Sequence, residues 1–207
     1  MESFDGIIFV YTLIVIVMSV VVHEVAHGAV ADFLGDKTAR LAGRLTLNPI
    51  SHLDPIGSVF LPALTAFLGA PIFGWAKPVP YNPNNLPRGR APEIAVALAG
   101  VAVNFLLAIV FGLLIRFSGE LGLASISFYE IAAMIVLANL SLAIFNLIPI
   151  PPLDGSKIFL AFAPSRARNL LDQFEKYGLL VIFLFVFFAA SLLHPVITFF
   201  FELLTGL

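Results

Sequence analysis

Cysteine is absent from the 207 residues. That excludes disulfides, thiolate metal sites and thiol nucleophiles, so metal ligands must be histidine, aspartate or glutamate. Charge is scarce as well. Only 12% of residues are Asp, Glu, Lys or Arg, against 60% hydrophobic, and the mean hydropathy is +1.02. No soluble domain needs so much apolar surface, so the composition predicts an integral membrane protein. The net charge of −2 singles out no partner, and no basic tract points to nucleic acid. No internal repeat or low-complexity tract is visible. The length suits one compact bundle, read as a single domain over 1–207 with a core of about 6–157 and accessory C-terminal helices over about 158–207. Met1-Glu2-Ser3-Phe4-Asp5 offers no basic region, so a cleaved signal peptide is not expected.

Against this apolar background one polar cluster stands out. His23-Glu24-Val25-Ala26-His27 reads H-E-x-x-H inside an apolar run from Ile7 to about Leu34. On a helix, positions i and i+4 share a face, so both imidazoles can grip one metal ion. Glu24 is turned roughly 100° from His23, which suits a general base beside the metal. The bland alternative is two histidines finding polar partners. In lipid, however, a His-Glu-His cluster is costly unless it is paired or metal-bound.

The first span is expected over about Gly6–Leu34, with Asp5 as N-cap. Lys37 to Asp54 is mixed, and residues 40–47 alternate enough for a short strand. Pro55 to Phe73 is apolar but interrupted by Gly57, Pro62, Gly69 and Pro71, so a straight helix suits it poorly. A proline-rich loop follows, whose start at 74–80 could supply an extended edge. Further spans are expected over Glu93 to about Phe117, about Phe128 to Ile148, and about Tyr177 to Leu193, with a short apolar piece from Val196 to Leu204. The predicted fold is all-α and polytopic. It is a bundle of about five to six transmembrane segments, with a re-entrant or broken segment and short β-strands near the active site.

Charge orients the bundle. Of the 11 basic residues, only Arg116 lies away from the groups at 37–44, 77–90 and 157–176. If Pro55–Phe73 dips in and returns, those groups all fall on one side, which the positive-inside rule makes cytoplasmic. His23 and His27 then lie near the cytoplasmic face. Whatever follows the span ending at Ile148 can reach them.

That stretch is Asn146-Leu147-Ile148-Pro149-Ile150-Pro151-Pro152-Leu153-Asp154-Gly155. The prolines hold the chain extended and Gly155 permits a sharp turn or close packing. Asp154 is the best placed third ligand for a catalytic metal with one open position. Its alternative is to cap a helix beginning near Ser156.

H-E-x-x-H followed far downstream by N-x-x-P-x-P-P-L-D-G resembles the site-2 protease family of intramembrane zinc metalloproteases. Gly43-Arg44-Leu45-Thr46-Leu47-Asn48-Pro49, His52-Leu53-Asp54-Pro55-Ile56-Gly57 and Gly74-Trp75-Ala76-Lys77-Pro78-Val79-Pro80 agree with it. The similarity covers roughly Val20 to Lys157 and fits the short prokaryotic branch without PDZ or CBS domains. It implies one Zn2+ per chain held by His23, His27 and Asp154, with Glu24 as base and Asn146 contacting the substrate backbone; the alternative for Asn146 is a helix-terminal amide that caps its own carbonyls or bonds a neighbouring span. Val101 departs from the family's usual proline after Gly100. Asn104 is read as a packing or hydrogen-bonding residue. His52 and Asp54 are accessory candidates that could gate the site, bind an ion or cap the re-entrant segment.

The implied function is hydrolysis of peptide bonds in transmembrane substrates by zinc-activated water, in a prokaryotic cell membrane. Its expected partners are a transmembrane protein or peptide and the bilayer, and homo-oligomerisation stays open. The rival is a non-catalytic membrane protein that binds or transports zinc. Two of the spans lack internal carboxylates and histidines, so no path for an ion through the bundle is visible.

Overall fold

The computed structural model describes residues 6–67, 75–163, 178–188 and 190–207. Among these the regular structure is all helical, with no strand. α1 spans Gly6–Phe33 and stops at Gly35, whose φ of +113° only glycine adopts freely. The last turn of α1 is capped from outside: Lys37 Nζ donates to the Asp32 carbonyl, and Arg40 grips the Asp32 carboxylate through Nε and Nη2 at 2.8 and 2.6 Å. Asp36, just beyond the helix, is fully buried. Its carboxylate accepts from the Thr38 hydroxyl and amide, the Asn82 amide and Asn85 Nδ2. It thereby ties the loop after residue 80 to the end of α1.

The strand expected over 40–47 does not form. Arg40 and Leu41 instead close the one-turn helix α2, Thr38–Leu41, and Gly43 turns the chain at φ +64°. A short alternating stretch needs a partner strand to pair with, and none is present among the described residues. A 3-10 turn at Pro49–His52 leads into a wide helical turn at Pro55–Phe60 and then α3, Leu61–Phe67. The expected breaks at Gly69 and Pro71 lie outside the described residues. The chain re-enters view at Trp75, whose amide donates to the Gly57 carbonyl, and Lys77 N–H donates to the His52 carbonyl. Both ends of this segment therefore meet at one place.

α4, Arg90–Arg116, and α5, Ile126–Asn146, match the next expected spans to within three residues. Ser125 caps α5 by accepting from the Phe128 amide. α6, Asp154–Phe162, follows the proline-rich corner, and α7, Gly178–Phe188, and α8, His194–Thr205, complete the described chain. α1, α4 and α5 are long and apolar enough to cross a membrane, and α7 with α8 makes a fourth candidate if the pair is one bent span. The protein is thus an all-α membrane protein. α4 is its centre, packing on α1, α5, α6 and α8. Ala108, Ile115, Ala132, Val136, Leu140 and Ile144 form the buried α4–α5 seam, closed by Phe200, Phe201 and Leu204 of α8. Small residues let the helices approach, which is how packing gains are made where lipid offers no hydrophobic drive.

Candidate active site

His23 and His27 sit one turn apart on the α1 face that meets α4, and both are buried. α6 begins at Asp154, with Leu153 as its N-cap, so Asp154 does not cap a helix starting near Ser156. Gly155 is required there, because a Cβ would collide with the Leu147 carbonyl at the end of α5. This close return brings the Asp154 carboxylate to α1. Asp154 Oδ2 lies 3.2 Å from His23 Nε2 and 3.0 Å from His27 Nε2, and the two Nε2 atoms are 3.0 Å apart. Gly100 of α4 makes room for the pair, since a Cβ would fall 2.5 Å from His27 Nε2.

The protons on these rings follow from their outer partners. His27 Nδ1 is 2.7 Å from the Val96 carbonyl, which can only accept. His27 therefore donates through Nδ1, leaving Nε2 with a lone pair in the neutral ring. His23 Nδ1 is 2.6 Å from Asn104 Oδ1. The orientation of that amide is set three steps away. Asn139 Nδ2 donates to the Ile135 carbonyl and to Ser19 Oγ, both at 2.9 Å, so its Oδ1 faces Asn104 Nδ2 at 2.7 Å. Asn104 Oδ1 must then accept from His23. The backbone carbonyl of Ile135 thus dictates the His23 tautomer across α5, α4 and α1.

With both rings neutral, three acceptors converge with no proton among them. Asp154 Oδ2 is buried without a hydrogen-bond partner. Lone pairs held 3.0–3.2 Å apart repel unless a cation lies between them. A tetrahedral ion with bonds of about 2.0–2.2 Å separates its ligands by roughly 3.4 Å, so the donor set fits a zinc-sized cation. Among the described residues this is the one cluster of this kind. The other carboxylate oxygen, Oδ1, is 3.4 Å from Lys157 Nζ, which also lies over the Tyr81 ring.

Glu24 is half-buried, and its Oε2 accepts from the Val79 amide at 2.8 Å. Asn146 ends α5 with its Nδ2 donating to the Leu142 carbonyl of its own helix. His52 is buried, 2.9 Å from the Thr46 carbonyl through Nε2. Asp54 caps the helical turn that follows it, accepting from the Ile56 and Gly57 amides. Neither His52 nor Asp54 joins the cluster. The stretch 74–80, expected to supply an extended edge, is described from Trp75 onward. There, Lys77 N–H, the Lys77 and Pro78 carbonyls and Val79 N–H are already bonded within the protein. The sequence reading passed over Asn139 and Ser19 and gave Asn104 no metal-site role. The available signal was three polar residues in otherwise apolar spans, which must bond one another in lipid.

A model of peptidase family M50 matches residues 118–190. "Putative zinc metalloprotease YwhC" of Bacillus subtilis is 37% identical over 176 residues, spanning 83% of this chain and 77% of the relative. "Putative zinc metalloprotease Rip2" of Mycolicibacterium smegmatis is 29% identical over 187 residues, spanning 87% and 67%. Its namesake in Mycobacterium tuberculosis is 30% identical over 190 residues, spanning 86% and 68%. No solved structure matches.

Proposed function

The chain belongs to peptidase family M50, and on that premise we propose that His23, His27 and Asp154 hold one zinc ion per chain and that Glu24 is the general base. The protein is an intramembrane zinc metalloprotease that hydrolyses peptide bonds of membrane-embedded substrates. What supports this residue assignment is the unpartnered Asp154 Oδ2 facing two bare imidazole nitrogens. When bound, the zinc polarises the scissile carbonyl and acidifies water beside it.

The chain's own residues do the rest. Val96 and Asn104 hold both imidazoles with Nε2 directed inward. Lys157 engages Oδ1 of Asp154 and leaves Oδ2 to the cation. Glu24 takes a proton from the attacking water and delivers it to the leaving amine. Its Oε2 is occupied by Val79 N–H, so Oε1 is the oxygen assigned to that proton. Asn146 is the candidate contact to the substrate backbone, which must unwind locally to expose its carbonyl. The finer topology belongs to the same reading: about five to six segments, with 55–73 re-entrant and the zinc near the cytoplasmic face of a prokaryotic membrane. The bonds joining Trp75 to Gly57 and Lys77 to His52 support a segment that returns to its point of entry.

The deciding experiment is Glu24→Gln in purified protein with a transmembrane peptide substrate. Zinc content should stay at the wild-type level while cleavage falls about 10²–10⁴-fold. Cleavage at the wild-type rate removes Glu24 from the chemistry.

A further inference from the structure

Arg44 is buried and, among the described residues, forms no ion pair. Its Nη2 donates to the Lys77 carbonyl at 2.8 Å and the Pro78 carbonyl at 3.3 Å. Burying a guanidinium to hold two neutral carbonyls is expensive, so the placement of those carbonyls matters. The next group along the chain shows why. Val79 N–H, 2.8 Å from Glu24 Oε2, belongs to the same peptide unit as the Pro78 carbonyl. That peptide is trans, so its C=O and N–H point in opposite directions. One peptide plane is therefore clamped between a guanidinium and a carboxylate. Pro78 and Pro80 flank it, which limits its freedom further. The segment sits tight on α1: a Cβ on Gly28 would fall 2.6 Å from Val79 Cγ1 and 2.7 Å from Leu45 Cδ2.

We propose that Arg44 is a positioning residue for the catalytic Glu24, acting through the Pro78–Val79 peptide. By fixing the carbonyl side of that plane, Arg44 aims the amide that fixes Oε2, and so sets where Oε1 meets the water. This rests on Glu24 being the base. It adds that the base is aimed from outside its own helix.

The test is steady-state kinetics on the full-length zinc-loaded protein in detergent, with wild type, Arg44→Lys, Arg44→Gln and Arg44→Ala beside Glu24→Gln. For Arg44→Ala, kcat should fall about 10–100-fold with KM and zinc content unchanged, because only the aim of the base is lost. Arg44→Lys should recover part of the rate and Arg44→Gln less. If Arg44→Ala fails to fold, the Lys and Gln variants carry the comparison, with kcat falling from Arg to Lys to Gln at constant KM. Equal kcat across the soluble variants overturns the clamp, and so does a loss that follows KM or zinc content instead of kcat. Wild-type cleavage by Glu24→Gln is a separate result, which overturns the reading on which the clamp rests.

Discussion

His23 Nδ1 and Asn104 Oδ1 lie 2.6 Å apart in the buried seam between α1 and α4. Behind Asn104 stand Asn139 and Ser19, so four polar side chains from three helices share one line of hydrogen bonds. Asn104→Leu, which keeps the branching of the side chain and removes the acceptor, should weaken zinc binding about 10–100-fold. Competition with a chromophoric chelator measures this. Asn139→Leu should act in the same direction but by less, since it leaves the Asn104 amide in place and frees it to rotate.

Gly100→Ala tests the space in front of the rings. Alanine is the better helix former, so α4 should persist. Its methyl would intrude at 2.6 Å from His23 Cε1 and still closer to His27 Nε2, pushing the ring pair out of line. The expected result is a far-ultraviolet spectrum like wild type with zinc affinity lowered at least about 10-fold. Metal analysis after dialysis reads it.

Metal removal should destabilise the fold, because it leaves three buried acceptors facing one another. Zinc at a hundredfold excess over its Kd should stabilise the wild type by about 2.7 kcal/mol over the metal-free protein. Asp154→Ala should lose most of that gain, since it deletes the ligand contributed by α6. Thermal unfolding with and without added zinc gives both values. The same chelation should stop cleavage and zinc should restore it.

Asp36 supplies the pH dependence. Burial alone would raise its pKa. The Thr38 hydroxyl, the Asn85 amide and the backbone amides of Asn82 and Thr38 outweigh burial and hold it at about 2, below the ordinary 3.8. A carboxylate with a depressed folded pKa contributes stability that is fully present above its unfolded value and is lost as pH falls through the folded one. Asp36→Asn turns an acceptor into a donor facing donors, and should cost about 1–3 kcal/mol near neutral pH. The gap between wild type and variant should close as pH drops from about 4 to about 2. Unfolding of both proteins across that range checks it, and a gap independent of pH would show that the ionised form is not what holds the loop.

The parts of the site that read most clearly in the sequence are local ones. His23, Glu24 and His27 share one helix turn, and helical periodicity alone places them. Asp154 could be singled out because prolines and Gly155 mark an unwound corner, and unwound corners put carboxylates where helices cannot. The strand over 40–47 failed because alternation describes only one half of a pairing. Asn139 and Arg44 were silent for a related reason. Asn139 bonds Asn104 and Ser19, which lie 35 and 120 residues away, and Arg44 bonds carbonyls 33 and 34 residues away.

Composition and spacing by themselves determined the solvent of this protein, the long apolar helices and the residue types able to hold a metal. Those properties arise from each segment's own hydrophobicity and period. Only the tertiary structure decided that Ile135's carbonyl sets a histidine tautomer on another helix, that Gly100 opens the pocket, and that one peptide joins Arg44 to Glu24. Hydrogen bonds are directional and reach about 3 Å. Which donor meets which acceptor is therefore settled when the helices pack and not before.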